Sequence, residues 1–362
     1  MADYTMYGSA MSYFSGKARA YLRWKGIDFE EVPPTPEIMQ NVIMARVGWP
    51  VIPVLKTPDD RIIQDTADII AEIETSHPAP SVMPGGAVQR FVSYLIQLFA
   101  DEWLLIPSMH YRWNHNEDWI YGEFGKAARP DGTPEEQYEA GKLTGQRFRA
   151  FVPLLGVTEE TIPGIEASYE ALLADVSAHL EQQPYMFGGR PSFADFAMIG
   201  ALYAHQYRDP YTGKLMQRIA PRVADWVERM MAGGQASGDL IGDDSVPETL
   251  LPLLRRQMSE QLPVLEATNQ MLAKWASDAE PGAELPRGFD MTAFTTSGVS
   301  GMCMARTFSL LRLQSALDAR DAMTPGERAQ TDALLDRVGG GALKTLHLSA
   351  RLTRRDYKLV LA

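Results

Sequence analysis

Residues 4–76 alternate between strand and helix patterns, and this alternation constrains the fold more than any other feature of the chain. Short apolar or alternating runs predict strands in "YTMYG", "IDFEEV", "VIPVLK" and "RIIQ". Ser15 and Gly26 are residue types that begin and end helices, and Thr35 and Gly48 bound a second helix in the same way. A third helix pattern follows the last strand. The order βαβαββα is typical of an α/β sheet layered with helices.

The rest of the chain is predicted to be mostly helical, with two breaks rich in small or helix-breaking residues at 77–86 and 232–245. After the second break, Pro252 and Pro263 are expected to kink or divide a helix pattern. Farther on, helix patterns mix with the strand patterns "FDMTAFTT" and "YKLVLA". The long helices are predicted near residues 87–113, 134–151, 162–182, 192–207 and 219–232.

Length, charge and cysteine content exclude several classes of protein. A chain of 362 residues is expected to form two or three domains. Its net charge of -12, without a Lys/Arg block, argues against nucleic-acid binding, which needs clustered cations. The one cysteine, Cys303, excludes an internal disulfide and is interpreted as a small buried apolar residue.

No signal-peptide pattern is visible, and no apolar run approaches the roughly 20 residues of a membrane span. We therefore expect a cytoplasmic protein without a membrane partner.

Two short motifs in the N-terminal part indicate a binding site for an anion or a thiolate. The stretch "SYFS" at residues 12–15 stands where the first strand passes into the first helix. Serine hydroxyls there would lie beside the unpaired N–H groups of a helix N-terminus. In "VIPVL", Pro53 removes a hydrogen-bond donor from a strand. A cis Ile52–Pro53 bond would leave the backbone groups of Ile52 free to pair with a ligand.

Four motifs together carry a family resemblance. They are Ser12-Tyr13-Phe14 followed by Lys25-Gly26, Ile52-Pro53-Val54-Leu55, Gln64-Asp65-Thr66-Ala67, and Ser192 with Asp195 at the start of a buried helix. With these motifs the chain resembles the glutathione S-transferase superfamily over roughly residues 4–232. The resemblance implies an α/β thioredoxin-like N-terminal domain at 1–77 and an all-α glutathione-transferase-type C-terminal domain at 87–245. Residues 246–362 match no family pattern and predict a smaller α+β C-terminal extension.

The resemblance also implies a site for glutathione as cosubstrate. Ser12 matches the catalytic serine or cysteine of the family, which donates a hydrogen bond to the glutathione sulfur. Ile52 and Pro53 match the backbone contact to the cysteinyl part of glutathione. Asp65 and Thr66 match the contact to its γ-glutamyl end, with Asp65 facing the ammonium group and Thr66 the carboxylate.

Some assignments at this site leave alternatives open. Tyr13 and Ser15 are assigned to glutathione binding, yet Ser15 and Ser12 are also suited to capping a helix and nothing more. Tyr7 or Tyr13 could offer a hydroxyl to the sulfur, as tyrosine does in other classes of the family. Val51 stands where many members have lysine, so the contact to the glycyl carboxylate is left open between Trp49, Lys17 and Lys56.

The aromatic stretch "DEWLLIPSMHYRWNHNEDW" at residues 101–119 is the second unusual segment. In the family, the first long helix of the second domain lines the acceptor pocket, although an aromatic stripe is also typical of a core. The residues assigned to the substrate pocket are Tyr7, Trp103, His110, Tyr111 and Trp113. His110 and His115 are five residues apart, or about 140° around a helix, so the two rings are expected to diverge and no metal site is predicted.

The resemblance implies a glutathione transferase-type enzyme that activates the glutathione thiol for attack on an electrophilic, largely apolar small molecule. Conjugation, dehalogenation, ether cleavage and isomerisation share this first step. Thiol–disulfide exchange needs a nucleophilic cysteine, and the chain has Ser12 and Ser15 at the matching positions. The alternative is a non-catalytic binding or assembly protein with the same fold. Because relatives are commonly homodimers, the resemblance also implies a homodimer.

Overall fold

The computed structural model describes residues 3–234 and 238–362. Its strands and helices, in chain order, are β1 (Tyr4–Tyr7), α1 (Tyr13–Lys25), β2 (Phe29–Val32), α2 (Pro36–Ile38), α3 (Ala45–Val47), β3 (Val54–Lys56), β4 (Ile62–Gln64), α4 (Thr66–Ser76), α5 (Ala87–Leu98), α6 (Leu105–His115), α7 (Glu117–Ala128), α8 (Pro134–Arg149), α9 (Ile162–Gln182), α10 (Phe193–Ala201), α11 (Pro210–Ile219), α12 (Pro221–Ala232), α13 (Leu251–Glu260), α14 (Leu262–Ala276), β5 (Gly288–Thr296), β6 (Val299–Arg306), α15 (Phe308–Asp321), α16 (Pro325–Val338), β7 (Leu352–Arg355) and β8 (Lys358–Leu361). π-Helical segments at Met39–Met44, Phe99–Trp103 and Leu202–Tyr207 continue α2, α5 and α10. Among the described residues, no helix combines the length and the apolar character needed to cross a bilayer.

The chain folds into two compact units, each built from three segments. The first unit contains Met1–Val82, Ser108–Val152 and Phe196–Ala236. The second contains Met83–Pro107, Pro153–Asp195 and Ser237–Ala362. The division of the sequence into domains 1–77, 87–245 and 246–362 stays a prediction.

The first unit contains a four-stranded mixed sheet in the order β2-β1-β3-β4. β1 pairs in parallel with β2 and antiparallel with β3, which pairs antiparallel with β4. The predicted order βαβαββα is therefore confirmed, and so is the thioredoxin-like class of the N-terminal part. In the register, Tyr7 lies opposite Val54, and Val54 lies opposite Gln64. The chain segments next to these three residues consequently meet at one end of the sheet.

The helix caps are placed by local hydrogen bonds, and one predicted cap is wrong. Ser12, not Ser15, caps α1, because the extended backbone of Ser12 lets its Oγ accept the Ser15 N–H at 3.2 Å. Ser15 lies inside the first turn of α1. Gly26 ends α1 as predicted, in the left-handed region with φ 73°. Thr35 and Gly48 bound the second helical stretch as predicted, but a π-helical segment occupies its middle.

The paired helices α7 and α8 form a hairpin of which the sequence predicted only α8. Their backbones approach closely because glycines face the contact. A Cβ atom at Gly125 would collide with the carbonyl oxygen of Gln137, and one at Gly141 would collide with that of Tyr121. The helix α11 was also not predicted, since its ten residues fall in a segment that the sequence analysis left without a regular element.

The second unit joins residues of the predicted C-terminal extension to α5 and α9. α13 and α14 each have a proline in the first turn, Pro252 and Pro263, so the predicted division of this helix pattern is confirmed. Two antiparallel hairpins, β5–β6 and β7–β8, and the helices α15 and α16 complete an α+β extension, as predicted, although β6 and β7 were missed. Ser192 and Asp195 form the predicted structural start of α10: the Asp195 carboxylate accepts the Ser192 N–H at 2.9 Å and the Ser192 hydroxyl at 2.7 Å.

The extension packs against α5 and shares a hydrophobic core with it. α15 and α16 both pack against α5, and Leu313 of α15 is fully buried. Side-chain amides of α13 and its C-cap reach the end of α5: Gln257 donates to the carbonyl oxygen of Leu95 at 2.7 Å, and Gln261 to that of Leu98 at 3.0 Å. Residues after 246 therefore contribute to the core of the second unit.

Replacement of Leu313 by Ala is expected to lower the free energy of unfolding by about 2–5 kcal/mol, because it leaves a cavity in this shared core. Leu311 of the same helix is only half-buried, so Leu311→Ala is the matched control and should cost less. Urea unfolding followed by circular dichroism measures both values. Equal, small losses for the two variants would contradict a shared core.

Candidate functional site

Three chain segments meet at one end of the sheet in the first unit. The loop at residues 8–12 leaves β1, Ile52 and Pro53 enter β3, and Asp65 follows β4. Since Tyr7, Val54 and Gln64 lie in one row of the register and neighbouring strands are about 4.8 Å apart, these segments are close neighbours. We call Ser12, Ile52, Pro53, Asp65 and Thr66 the sheet-end site. Two helices, α1 and α4, begin at this end of the sheet.

Ser12 occupies the N-cap of α1 and is half-buried. Its Oγ accepts the Ser15 N–H, which leaves its own O–H free to act as a donor. The N-terminus of a 13-residue helix adds a partial positive charge beside the hydroxyl. This arrangement stabilises a negatively charged atom that accepts the Ser12 O–H.

Ser15 supports the loop ahead of Ser12 from inside the fold. Its side chain is fully buried, and its Oγ accepts the Ser9 N–H at 3.2 Å. A Cβ atom at Gly8 would lie 3.1 Å from the Ser15 Oγ, so a larger residue there would require the Ser15 side chain to shift by a few tenths of an ångström. The assignment of Ser15 to ligand binding stays a prediction; its observed contact is with the backbone of the loop.

The Ile52–Pro53 peptide bond is cis. Pro53 is buried and Ile52 is half-buried. Ile52 lies two residues ahead of Val54, the first paired residue of β3. Its backbone is therefore outside the ladder between β1 and β3, at the end of the sheet where Ser12 also lies.

Asp65 caps α4 with an unusual backbone conformation. Its φ of 88° and ψ of 131° lie in a region that residues other than glycine rarely adopt, and its carboxylate accepts the Ala67 N–H at 2.8 Å. Such conformations persist only where the surrounding structure enforces them, and they cluster at binding sites. Thr66 follows at the first position of α4 and is buried. The structure thus brings Asp65 and Thr66 to the end of the sheet that carries Ser12 and Ile52.

A buried arginine that the sequence analysis missed holds the loop ahead of Ser12. One N–H of Arg112 donates to the carbonyl oxygen of Met11 at 2.7 Å. Asp209 accepts two further N–H groups, at 2.6 and 2.7 Å, in a bidentate ion pair. The remaining donors bond to the carbonyl oxygen of Ala204 and to the ring of His205, both at 2.7 Å. All five N–H groups of the guanidinium are therefore used.

His205 is fixed in one tautomer by its two partners. Its Nδ1 lies 3.1 Å from the carbonyl oxygen of Ser108, which can only accept, so Nδ1 carries the proton. Nε2 then accepts the N–H of Arg112. Burial, and the positive charge of Arg112, lower the pKa of His205 well below its ordinary value. The ring is neutral in the folded protein at neutral pH.

A sequence signal for this network exists, but it is incomplete. Arg112 stands in an apolar and aromatic helix pattern, where a charge needs a buried partner. The partner, Asp209, lies 97 residues away along the chain, so the sequence does not identify it.

The two tyrosines proposed as hydroxyl donors are both largely buried. Tyr7 is the last residue of β1, and Tyr13 is the first residue of α1. The Tyr13 ring packs edge-on against His205, with ring centroids 5.7 Å apart, and its edge also faces Gly200. The assignments of Tyr7 to the pocket and of Tyr13 to glutathione stay predictions.

The four aromatic residues assigned to the acceptor pocket are buried and have different partners. Trp103, in the second unit, donates from its indole to Glu260 at 3.1 Å. In the first unit, Tyr111 stacks near Tyr211, and the Trp113 ring contacts those of Tyr121, Phe124 and Phe148. His110 accepts from the side-chain amide of Asn114 at 2.8 Å. Their role in an acceptor pocket stays a prediction.

The expectation that His110 and His115 diverge is wrong. Their ring centroids are 5.3 Å apart, in an edge-to-face arrangement. The angle of about 140° refers to the Cα positions of an ideal helix, whereas helical side chains lean toward the N-terminus. The side chain of His115, at the last position of α6, reaches back and stacks on Tyr211. The geometric reason for excluding a metal ion at these two histidines therefore fails.

Replacing His205 by Gln is expected to flatten the acid dependence of stability. Near pH 6.5 and below, the ring is protonated in the unfolded chain and stays neutral in the folded one, because its folded pKa lies well below the ordinary value of 6.5. The free energy of unfolding therefore falls, by about 1.4 kcal/mol per pH unit for this one ring, as the pH decreases below about 6.5. Urea unfolding of both proteins between about pH 5 and pH 8 measures this slope. The same slope in the variant would contradict a neutral His205.

Two family models match the chain. The model for the N-terminal domain of glutathione S-transferase matches residues 6–81, which include the whole sheet-end site. The model for the C-terminal domain of glutathione S-transferase matches residues 159–229, from α9 into α12. A search among curated proteins found no match.

Solved structures with a similar chain have low sequence identity. A glutathione S-transferase-like protein from Pseudomonas syringae is 17% identical, with 85% of this chain and 98% of that chain covered and a TM-score of 0.44. A glutathione S-transferase from Rhodospirillum rubrum F11 is 18% identical, with 69% and 91% covered and a TM-score of 0.41. Rice glutathione S-transferase OsGSTU1, solved in complex with glutathione, is 18% identical, with 64% and 90% covered and a TM-score of 0.37.

The TM-scores are low, so the assignment to a family rests on the two domain models and on the motifs that they contain. The N-terminal model covers the mixed sheet and both helix starts at its end. The C-terminal model covers the Ser192–Asp195 start of α10. Residues 6–81 and 159–229 therefore match an N-terminal and a C-terminal domain of the glutathione S-transferase type.

Proposed function

We propose that this protein binds glutathione at the sheet-end site and activates its thiol through the hydroxyl of Ser12. One observation carries the proposal: the Ser12 Oγ accepts the Ser15 N–H, so its O–H is free to donate where a helix N-terminus adds positive potential. The matches of residues 6–81 and 159–229 to glutathione S-transferase domain models support the same choice of ligand.

The energy that thiol activation needs is within reach of such a site. A free thiol has a pKa near 8.5, so only about 3% is thiolate at pH 7. Lowering that pKa by about two units requires roughly 2.7 kcal/mol of preferential stabilisation of the thiolate. A hydrogen bond to a charged group contributes about 1.5–3 kcal/mol, and a helix N-terminus about 0.3–1 kcal/mol. Together these two contributions cover the requirement.

The other residues of the sheet-end site hold the peptide part of glutathione. The backbone of Ile52, which lies outside the ladder between β1 and β3, pairs with the cysteinyl residue. The Asp65 carboxylate faces the γ-glutamyl ammonium group, and Thr66, at the start of α4, faces the γ-glutamyl carboxylate. Arg112 is a positioning residue, because it fixes the Met11 carbonyl directly ahead of Ser12.

The proposed reaction is attack of the bound thiolate on a small, apolar electrophile, in an enzyme of the glutathione transferase type. The protein supplies orientation and a stabilised negative charge, and glutathione supplies the nucleophile. The proposed protein is a cytoplasmic homodimer, as its relatives commonly are. A binding protein without activity is the alternative, and Val51, in place of the usual lysine, is the feature that favours it.

Replacing Ser12 by Ala is expected to lower kcat at least about tenfold and to change the KM for glutathione by less than about threefold, because the lost hydrogen bond stabilises the thiolate more than the thiol. A general electrophilic aryl halide serves as the second substrate. Ser76→Ala changes an exposed serine at the far end of α4 and is the matched control. Urea unfolding corrects for the lost cap, worth about 1 kcal/mol. Unchanged kcat in the Ala variant would contradict the role of Ser12.

Titration calorimetry, together with the ultraviolet absorbance of the thiolate across pH, tests the cosubstrate directly. We expect glutathione to bind and its thiol pKa in the complex to lie about two units below that of the free thiol. The Ser12→Ala variant should bind glutathione with a pKa closer to the free value. No binding at millimolar glutathione would overturn the proposal and leave the non-catalytic alternative.

A further inference from the structure

The outward face of the hairpin β5–β6, in the second unit, carries three methionines. In the antiparallel register Met291 lies opposite Met304, and Ala293 lies opposite Met302. Residues directly opposite each other share a face of the hairpin, and so do residues two positions apart along one strand. Met291, Met302 and Met304 therefore occupy three of four neighbouring positions on one face, and Ala293 occupies the fourth. We call these three residues the methionine triad.

The exposure of the hairpin residues shows which face is turned to solvent. Thr292 and Cys303, on the face opposite the triad, are buried. Met291 is 40% exposed and Met302 is 50% exposed, and Met304 is half-buried. Methionine is mostly a buried residue type, and exposed apolar patches commonly mark interaction sites. Packing in the core of the second unit therefore does not explain this group of thioethers.

The spacing of the triad allows its three sulfur atoms to reach one point. Opposite residues of an antiparallel pair have Cβ atoms about 4.5–5.5 Å apart, and diagonal neighbours are about 7–8 Å apart. Residues two positions apart along a strand are about 6.8 Å apart. A methionine side chain has three rotatable bonds and adapts to its surroundings, so these separations suit one ion that all three thioethers contact. Ala293 is too small to fill the space between them.

A glycine beside the triad gives the third methionine room to move. A Cβ atom at Gly288 would lie 2.6 Å from both the Cγ and the Sδ of Met304, so the Met304 thioether lies directly over that glycine. Rotation about the side-chain bonds of Met304 turns its sulfur toward Met291, its partner in the register. The exposed side chains of Met291 and Met302 can change rotamer in the same way.

We propose that the methionine triad binds one soft monovalent metal ion, Cu(I). Thioether sulfur is a soft, uncharged ligand suited to Cu(I), whereas Zn²⁺ is held by thiolate, imidazole or carboxylate groups. Metal sites made of cysteine or histidine lose affinity in acid, because their ligands must first release a proton. A thioether carries no such proton, so the triad keeps its affinity for Cu(I) at low pH.

Cys303 stands between Met302 and Met304 in the sequence but is not part of the proposed site. Its side chain lies on the opposite face of the hairpin and is buried. Burial raises the pKa of the Cys303 thiol to about 11, and only the thiolate is a good metal ligand. The proposed site therefore consists of thioethers, and replacement of Cys303 serves as a control.

Titration of the protein with Cu(I), without oxygen or added glutathione and in competition with the coloured chelator bicinchoninate, tests the proposal. One Cu(I) should bind per chain, and its affinity should change by less than about threefold between about pH 5.5 and pH 7.5, because thioethers do not titrate in this range. Excess Zn²⁺ should not displace it. No uptake of Cu(I), or a loss of affinity of more than about tenfold in acid, would overturn the proposal.

Leucine variants identify the ligands and keep the hairpin intact, because leucine is apolar and close to methionine in volume but has no sulfur. The double variant Met291→Leu, Met302→Leu should weaken Cu(I) binding at least about tenfold. Two controls should leave binding unchanged: Cys303→Ala, and Met39→Leu, which changes a half-buried methionine of the first unit. Binding that survives the double substitution, or that is lost in the Cys303 variant, would overturn the assignment to the triad.

Nuclear magnetic resonance of isotope-labelled methionine methyl groups locates the ion directly. Ag(I), a soft monovalent ion that is stable to oxidation and diamagnetic, serves as the probe. It should shift the signals of Met291, Met302 and Met304 among the 18 methionines, with the leucine variants providing the assignments. Shifts at other methionines instead would contradict the proposal. None of these outcomes bears on Ser12, because the triad belongs to the second unit and Ser12 to the first.

Discussion

A buried guanidinium is the interaction on which the geometry around Ser12 depends. Arg112 uses all five of its N–H groups, and one of them fixes the Met11 carbonyl next to the helix cap. Removal of one partner from such a buried pair typically costs about 3–5 kcal/mol, because the other charge is left without compensation. Breaking the bidentate pair between Arg112 and Asp209 is therefore costly, so the pair resists a rearrangement of the residues that it joins. Arg112 thereby connects the loop that carries Ser12 to the π-helical segment Leu202–Tyr207, which follows α10.

The neutral ring of His205 completes this constraint. A protonated imidazole would place a second positive charge against Arg112, 2.7 Å away and out of contact with water. Burial and the arginine both act against that charge, so the hydrogen-bond network has one protonation state at neutral pH. The edge of the Tyr13 ring packs on the same imidazole, which connects the first residue of α1 to the network. The start of α1 is thus held at two points: Arg112 bonds to the Met11 carbonyl ahead of the helix, and His205 packs against Tyr13 at its first position.

The topology of the sheet explains why the sheet-end site is assembled from distant segments. An antiparallel partner brings the start of β3 beside the end of β1, and the end of β4 beside the start of β3. Two helices begin at that end, so their unpaired N–H groups lie together there.

The sequence by itself determined the order of strands and helices, the glycine that ends α1, the division at Pro263 and the position of Ser12 at a helix start. These features depend on contacts within a few residues, which periodicity and cap residues reveal. Only the tertiary structure decided that Ser12 and not Ser15 is the cap, that His110 and His115 approach each other, and that Asp209 pairs with Arg112. The sequence offers two equivalent serines three residues apart, and it does not show which backbone is extended. The sequence likewise indicates that Arg112, in an apolar helix pattern, needs a partner of opposite charge. Only the folded structure identifies that partner as Asp209, which lies 97 residues away along the chain.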